Sequence, residues 1–137
     1  MTPTHAHIPG RTPRHPEGAF DAIRDSVRAG TDIQSLAASQ AFRIGLDWLD
    51  TGYCWEAHEV LEPVWMACPD GGAERALVQA LIQIANARLK TAMNQPRAAA
   101  RLRAAAADLL DRAEALGGPM VMGQRIGAWR DSLAHSG

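Results

Sequence analysis

Between Tyr53 and Trp65 the chain reads Tyr-Cys-Trp-Glu-Ala-His-Glu-Val-Leu-Glu-Pro-Val-Trp, which brings a histidine, three carboxylates, a thiol and two tryptophans into a short stretch. At ~100° per residue, Cys54, Trp55, His58, Glu59, Glu62 and Trp65 share one broad helical arc, and Ala57, Val60, Leu61 and Val64 share another. A carboxylate or imidazolium buried without a partner costs on the order of several kcal/mol, so the first arc must be paired, neutralised, metal-bound or wet. Tryptophans above and below the charges would forfeit much apolar burial in water, which marks the arc as a site rather than a plain solvated face.

Three chemistries suit it. His58 and Glu62 stand one turn apart, with Cβ atoms ~6 Å from each other, and Cys54 precedes them at the same spacing. That pair could hold a divalent transition metal if another helix or water supplied the remaining ligands. Neither H-E-x-x-H nor the E-x-x-H of di-iron bundles is present, since Trp55 stands where the second would need a carboxylate. A metal-dependent hydrolase would use Glu59 or Glu62 as general base with His58 orienting or donating a proton. Its only nearby nucleophile is Cys54, and a buried thiol is ordinarily inert. The third arrangement is a structural or dimerisation module, in which the same side chains form a hydrogen-bonded network that fixes how helices cross.

The surrounding pattern is helical. Ser39 is a good N-cap for a helix carrying Phe42, Leu46 and Leu49, which Asp50-Thr51-Gly52 ends, so residues 39 to 66 predict a tight helical hairpin. Pro63 removes a backbone donor and crowds the carbonyl of Glu59, predicting a kink or an early end near Glu62. Residues 73 to 94 form a helix with Leu77, Leu81 and Ile84 on one stripe and Gln79, Gln83, Asn86 and Lys90 on another. Those amides could face water or serve the His58 and Glu62 face, so Gln79 and Gln83 join Trp55, His58, Glu59, Glu62 and Trp65 as candidate ligand-binding residues. Pro96 opens a helix to about Leu116, with Leu102, Leu109, Ala113 and Leu116 toward the core. Arg97, Arg101, Asp108, Asp111 and Arg112 form its wet face.

At the ends, Phe20, Ile23 and Val27 predict a short helix over 17 to 29, and Ile126, Trp129 and Leu133 a last one that docks on the domain or on a second subunit. No strand pair with hairpin chemistry is legible. Residues 1 to 16 carry four prolines and three histidines and are expected as a flexible tail, whose His5 and His7 lack further metal ligands.

The 137 residues, 47% hydrophobic and 21% charged, suit one soluble helical domain over 17 to 137. A net charge of -1 offers no basic field, which argues against nucleic acid, and no apolar run approaches a membrane span. Two widely spaced cysteines fit a reducing cytoplasm, and the apolar stripes of the terminal helices suit a homodimer.

Leu49-Asp50-Thr51-Gly52, then Trp55-Glu56-Ala57-His58-Glu59-Val60-Leu61-Glu62 with Trp65, then Val78-Gln79-Ala80-Leu81-Ile82-Gln83-Ile84-Ala85, resemble the domain of unknown function 309 family over roughly residues 40 to 115. The resemblance implies an all-α fold, a compact bundle of about four to six helices around a central hairpin. It implies no particular reaction. Its motif positions fall on Glu56, His58, Glu59, Glu62, Trp65, Gln79 and Gln83. Asp50, Cys54 and Pro63 depart from the family's usual asparagine, aromatic and uninterrupted helix. With the residues themselves, it points to a pocket for a small polar molecule or a cation.

Overall fold

Ser39 caps the central hairpin as its spacing predicts, accepting the Phe42 N–H on its hydroxyl at 3.2 Å. Helix α3 (Gln40–Thr51) then runs to Gly52, whose φ of 91° is a left-handed stop that a side chain would oppose. Helix α4 (Cys54–Ala67) returns antiparallel to it. The computed structural model describes residues 2–134.

The two helices touch where Gly45 meets Leu61. A Cβ at Gly45 would stand 2.6 Å from both Cγ and Cδ2 of Leu61, which is itself wholly buried. Alanine would gain about 1 kcal/mol of helix propensity and lose about 1–3 kcal/mol to overpacking. Gly45→Ala is therefore expected to destabilise the protein by up to about 2 kcal/mol, read as a lower urea midpoint at unchanged slope.

Pro63 neither ends nor shortens α4, which continues to Ala67. The cost of proline inside a helix is the orphaned carbonyl four residues back, here that of Glu59. Arg24 supplies the missing donor: its Nη1 donates to the Glu59 carbonyl and lies 3.5 Å from the Glu59 carboxylate. The early end expected near Glu62 is thus averted by a guanidinium from outside the helix.

Arg24 belongs to α1 (Asp21–Arg24), far shorter than the helix expected over 17 to 29. The chain leaves the helix because Ser26 turns on its own backbone, donating to the Ile23 carbonyl and accepting the Ala41 N–H at 3.3 Å. Phe20 and Ile23 nevertheless reach the core, with Val27 packed against it. Helix α2 (Ile33–Ala37) is capped by Asp32, which accepts the Ser35 N–H at 2.8 Å.

Helix α5 (Ala73–Ala92) is buried on several sides, and α6 (Pro96–Gly117) lies along it. The buried face of α6 is Ala99, Ala106, Leu110 and Ala113, while Leu102 and Leu109 are half-buried and Leu116 is 55% exposed. Of the side expected to face the core, Ala113 is buried and Leu109 packs against it, whereas Leu116 points out. Small alanines, not the larger side chains, are what let two helices approach closely.

A strand pair follows that the sequence did not announce. Met120–Val121 (β1) pairs antiparallel with Gln124–Arg125 (β2). Met122 and Gly123 both have positive φ, 52° and 75°, as a two-residue turn of this hand requires, and methionine in its first position carries no turn signal. Helix α7 (Ile126–Ala134) docks on its own chain: Ile126 is buried, Trp129 and Leu133 pack against the core, and Arg130 bridges Asp111 at 2.9 Å and Glu114 at 3.0 Å on α6. Among the described residues no helix is long and apolar enough to cross a membrane.

Candidate functional site

Helix α4 buries Glu56, Ala57, Val60, Leu61 and Val64. Glu56 is 0% exposed, a carboxylate at the head of an apolar row. Its Oε2 accepts the backbone N–H of His7 at 2.7 Å and the Nε2–H of His15 at 2.5 Å, while Oε1 has no partner among the described residues. Both donors come from the segment expected as a tail. Residues 2–16 contain no helix and lie against α4, with the His7 ring edge-on to Trp55 at 5.0 Å and His5 stacked on His15 at 4.4 Å.

Beside this pair opens a cavity of about 470 Å³, walled by Arg14, His15, Asp21, Arg24, Trp55 and Glu59. It takes two of the seven candidate residues, Trp55 and Glu59. The others point elsewhere. His58 Nδ1 meets the Asn86 amide oxygen at 2.9 Å, its Nε2 lies 3.4 Å from Glu62 Oε2, and the Asn86 amide donates to Gln83 at 3.5 Å. Here the amide stripe of α5 serves the histidine.

Trp65 sits under the guanidinium of Arg75, 4.3 Å from the ring centroid, with its indole N–H buried and unpartnered among the described residues. Arg75 is held by Asp70 at 2.8 Å and by the Cys68 carbonyl at 3.1 Å. Gln79 lines a second cavity of about 190 Å³ with Arg75 and Arg112. The seven candidates are therefore distributed over the cavity beside His15, the His58 cluster, the Trp65 stack and the Arg75 hollow. Among the described residues no three His, Cys, Asp or Glu side chains are grouped to hold a metal ion, so His58 and Glu62 stand as a pair.

Both thiols are free. Burial pushes the Cys54 thiol up, with Arg88 opposing and Glu56 adding. Burial also raises Cys68 from 9.0 to about 11, Glu74 adding and Arg75 opposing. A folded-state value above the unfolded one means the fold holds the proton more tightly, so this contribution to stability is full below pH 9.0 and is lost as pH rises toward about 11. Urea midpoints should fall across that window, and Cys68→Ala should flatten the fall. Slow alkylation of the native protein at neutral pH would accord with the same shift.

Residues 42–102 match the family described as Domain of unknown function (DUF309). The DUF309 match covers most of α3, all of α4 and α5 and the start of α6, a shorter stretch than the motifs implied. Glu56, His58, Glu59, Glu62, Trp65, Gln79 and Gln83 lie inside it, and His7, His15 and Arg24 lie outside it. No curated protein and no solved structure matches the chain. Within the DUF309 stretch the residue that wheel reasoning passed over is Glu56. Its signal was present: positions 56, 60 and 64 form one row, which puts a carboxylate in line with two valines. His7 and His15 had no such signal, because nothing in a proline-rich stretch says which side chain it will reach.

Proposed function

We propose that this chain binds a small polar molecule carrying a carboxylate and a planar face in the cavity between residues 14–24 and α4. The observation that carries this reading is the cavity itself: about 470 Å³, with Trp55 for a flat face, Arg14 for an anion, and Glu17, Asp21 and Glu59 as acceptors, while Arg24 is already engaged by Glu59. Arg14 is exposed, and no hydrogen bond or ion pair occupies it among the described residues, so its guanidinium is free to take a carboxylate.

A structural role suits the His58 cluster. The bond from His58 to Asn86 ties α4 to α5, as a polar lock on a helix crossing does. A metal-dependent hydrolase at His58, Glu59 and Glu62 has less in its favour, because Glu59 turns to Arg24 while His58 turns to Asn86.

A thermal-shift screen of small aromatic and aliphatic carboxylates tests the ligand reading. A saturable rise in Tm is expected, with Arg14→Ala weakening apparent affinity about tenfold, the effect of losing one charge-assisted hydrogen bond. Absence of any stabilising carboxylate, or an Arg14→Ala protein that binds as well as the parent, would overturn it.

A further inference from the structure

We infer that the molecule held in this cavity carries an ammonium group as well as a carboxylate, so that the site takes an amino acid with a planar side chain. This rests on the ligand reading above and adds a second charge to it. The charges that the cavity wall leaves uncompensated carry it.

The ionisable side chains in the wall are Arg14, His15, Glu17, Asp21, Arg24 and Glu59. Three of them already have partners inside the protein. His15 gives its Nε2 to Glu56 at 2.5 Å, and Arg24 lies 3.5 Å from the Glu59 carboxylate while donating to the Glu59 carbonyl. Arg14, Glu17 and Asp21 remain, all exposed and none with a side-chain hydrogen bond or ion pair among the described residues. Arg24 and Glu59 offset each other, so the free groups are one cation and two anions.

The backbone explains how one of those anions comes to lie on the wall. Gly18 has a φ of 77°, and Asp21 Oδ2 stands 3.0 Å from where a Cβ on Gly18 would be. With no side chain there, the Asp21 carboxylate rests against the Gly18 backbone, and Glu17 is the residue just before it.

Charge complementarity then selects the ligand. A simple carboxylate answers Arg14 but meets two uncompensated carboxylates, which takes back part of the gain. An amine without a carboxylate leaves Arg14 unanswered. A molecule with both groups offers an opposite charge to each side of the wall, and Trp55 receives its flat part. The volume of about 470 Å³ is in the range that small organic ligands occupy. Because the three free side chains are exposed, water screens each pairing and the discrimination is modest.

Phenylalanine is the probe, with hydrocinnamate as the same molecule without the ammonium and phenethylamine as the same molecule without the carboxylate. Titration calorimetry on the full chain at neutral pH and low ionic strength gives the three affinities. Phenylalanine should bind on the order of fivefold more tightly than either of the others. In the double variant Glu17→Gln, Asp21→Asn, phenylalanine should fall to the level of hydrocinnamate. Hydrocinnamate should bind that variant at least as tightly as it binds the parent, since the opposing charge is gone. Both substituted side chains are exposed, so the urea midpoint should stay where it is, which separates lost charge from lost fold. If hydrocinnamate binds the parent as tightly as phenylalanine does, or if the preference survives in the variant, the ammonium is wrong and the carboxylate reading stands. If phenethylamine matches phenylalanine, the carboxylate contributes nothing and the ligand reading fails together with this inference. Binding by none of the three overturns both.

Discussion

Glu56→Ala should cost the fold about 2 to 4 kcal/mol and release residues 2–16 from α4. The substitution strips two donors of their acceptor at once, the His7 N–H and the His15 Nε2–H, in a place that water does not reach. It also leaves a void where a fully buried side chain stood. Against this runs one relief: the variant no longer buries a carboxylate oxygen without a partner. Two lost hydrogen bonds and a cavity outweigh that relief, which sets the lower end of the range. Glu56→Gln keeps the shape and an acceptor and should cost about 1 kcal/mol. Urea unfolding gives the energies. Limited proteolysis gives the location, with new cleavage at Arg11 or Arg14 by trypsin in Glu56→Ala. Unchanged resistance there would show that the carboxylate does not anchor the segment.

Arg24→Met should cost about 1.5 to 3 kcal/mol, the worth of a hydrogen bond from a charged group to a carbonyl that the proline four residues on cannot serve. The cause is Pro63, which cannot donate to the Glu59 carbonyl and leaves it to the guanidinium. In a Pro63→Ala background the helix regains its own donor, so the same Arg24→Met change should cost less than about 1 kcal/mol. The coupling energy from the double-mutant cycle is the decisive quantity. Equal costs in both backgrounds would mean that Arg24 acts only through its pairing with the Glu59 carboxylate, 3.5 Å away and partly exposed.

The helices that position the site were legible where their signals were local. The Ser39 cap, the Gly52 stop and the Pro96 start each depend on a few neighbouring residues, and each stands where its chemistry demands. Legibility failed where the deciding partner was distant in sequence. Pro63 read alone breaks a helix, and only Arg24, 39 positions away, explains why α4 continues; the separation is the difference of the two residue numbers. The segment of residues 2–16 read alone has too few apolar groups to order itself, and its anchor is a buried carboxylate on α4. The α6 face was read only in part, for another reason: alanines determine how near two helices come, yet they add little to an apolar pattern.

The candidate site divides in the same way. The motif put six polar or aromatic groups on one helix, but a wheel cannot tell which neighbour each will meet. His58 met the amides of α5, Trp65 met Arg75, and Trp55 with Glu59 met the cavity beside His15. Their common helix did not make them a common site.

The central claim is that ligand chemistry belongs to the cavity between residues 14–24 and α4. Amide chemical-shift mapping on nitrogen-15-labelled full chain, titrated with a carboxylate that raises Tm, tests it most directly. The account predicts saturable shifts concentrated at residues 14–24 and at Trp55 to Glu59, with His58, Gln83 and Asn86 moving little. Shifts centred on His58, Glu62 and Gln83 would contradict it and return the site to the outer arc of α4.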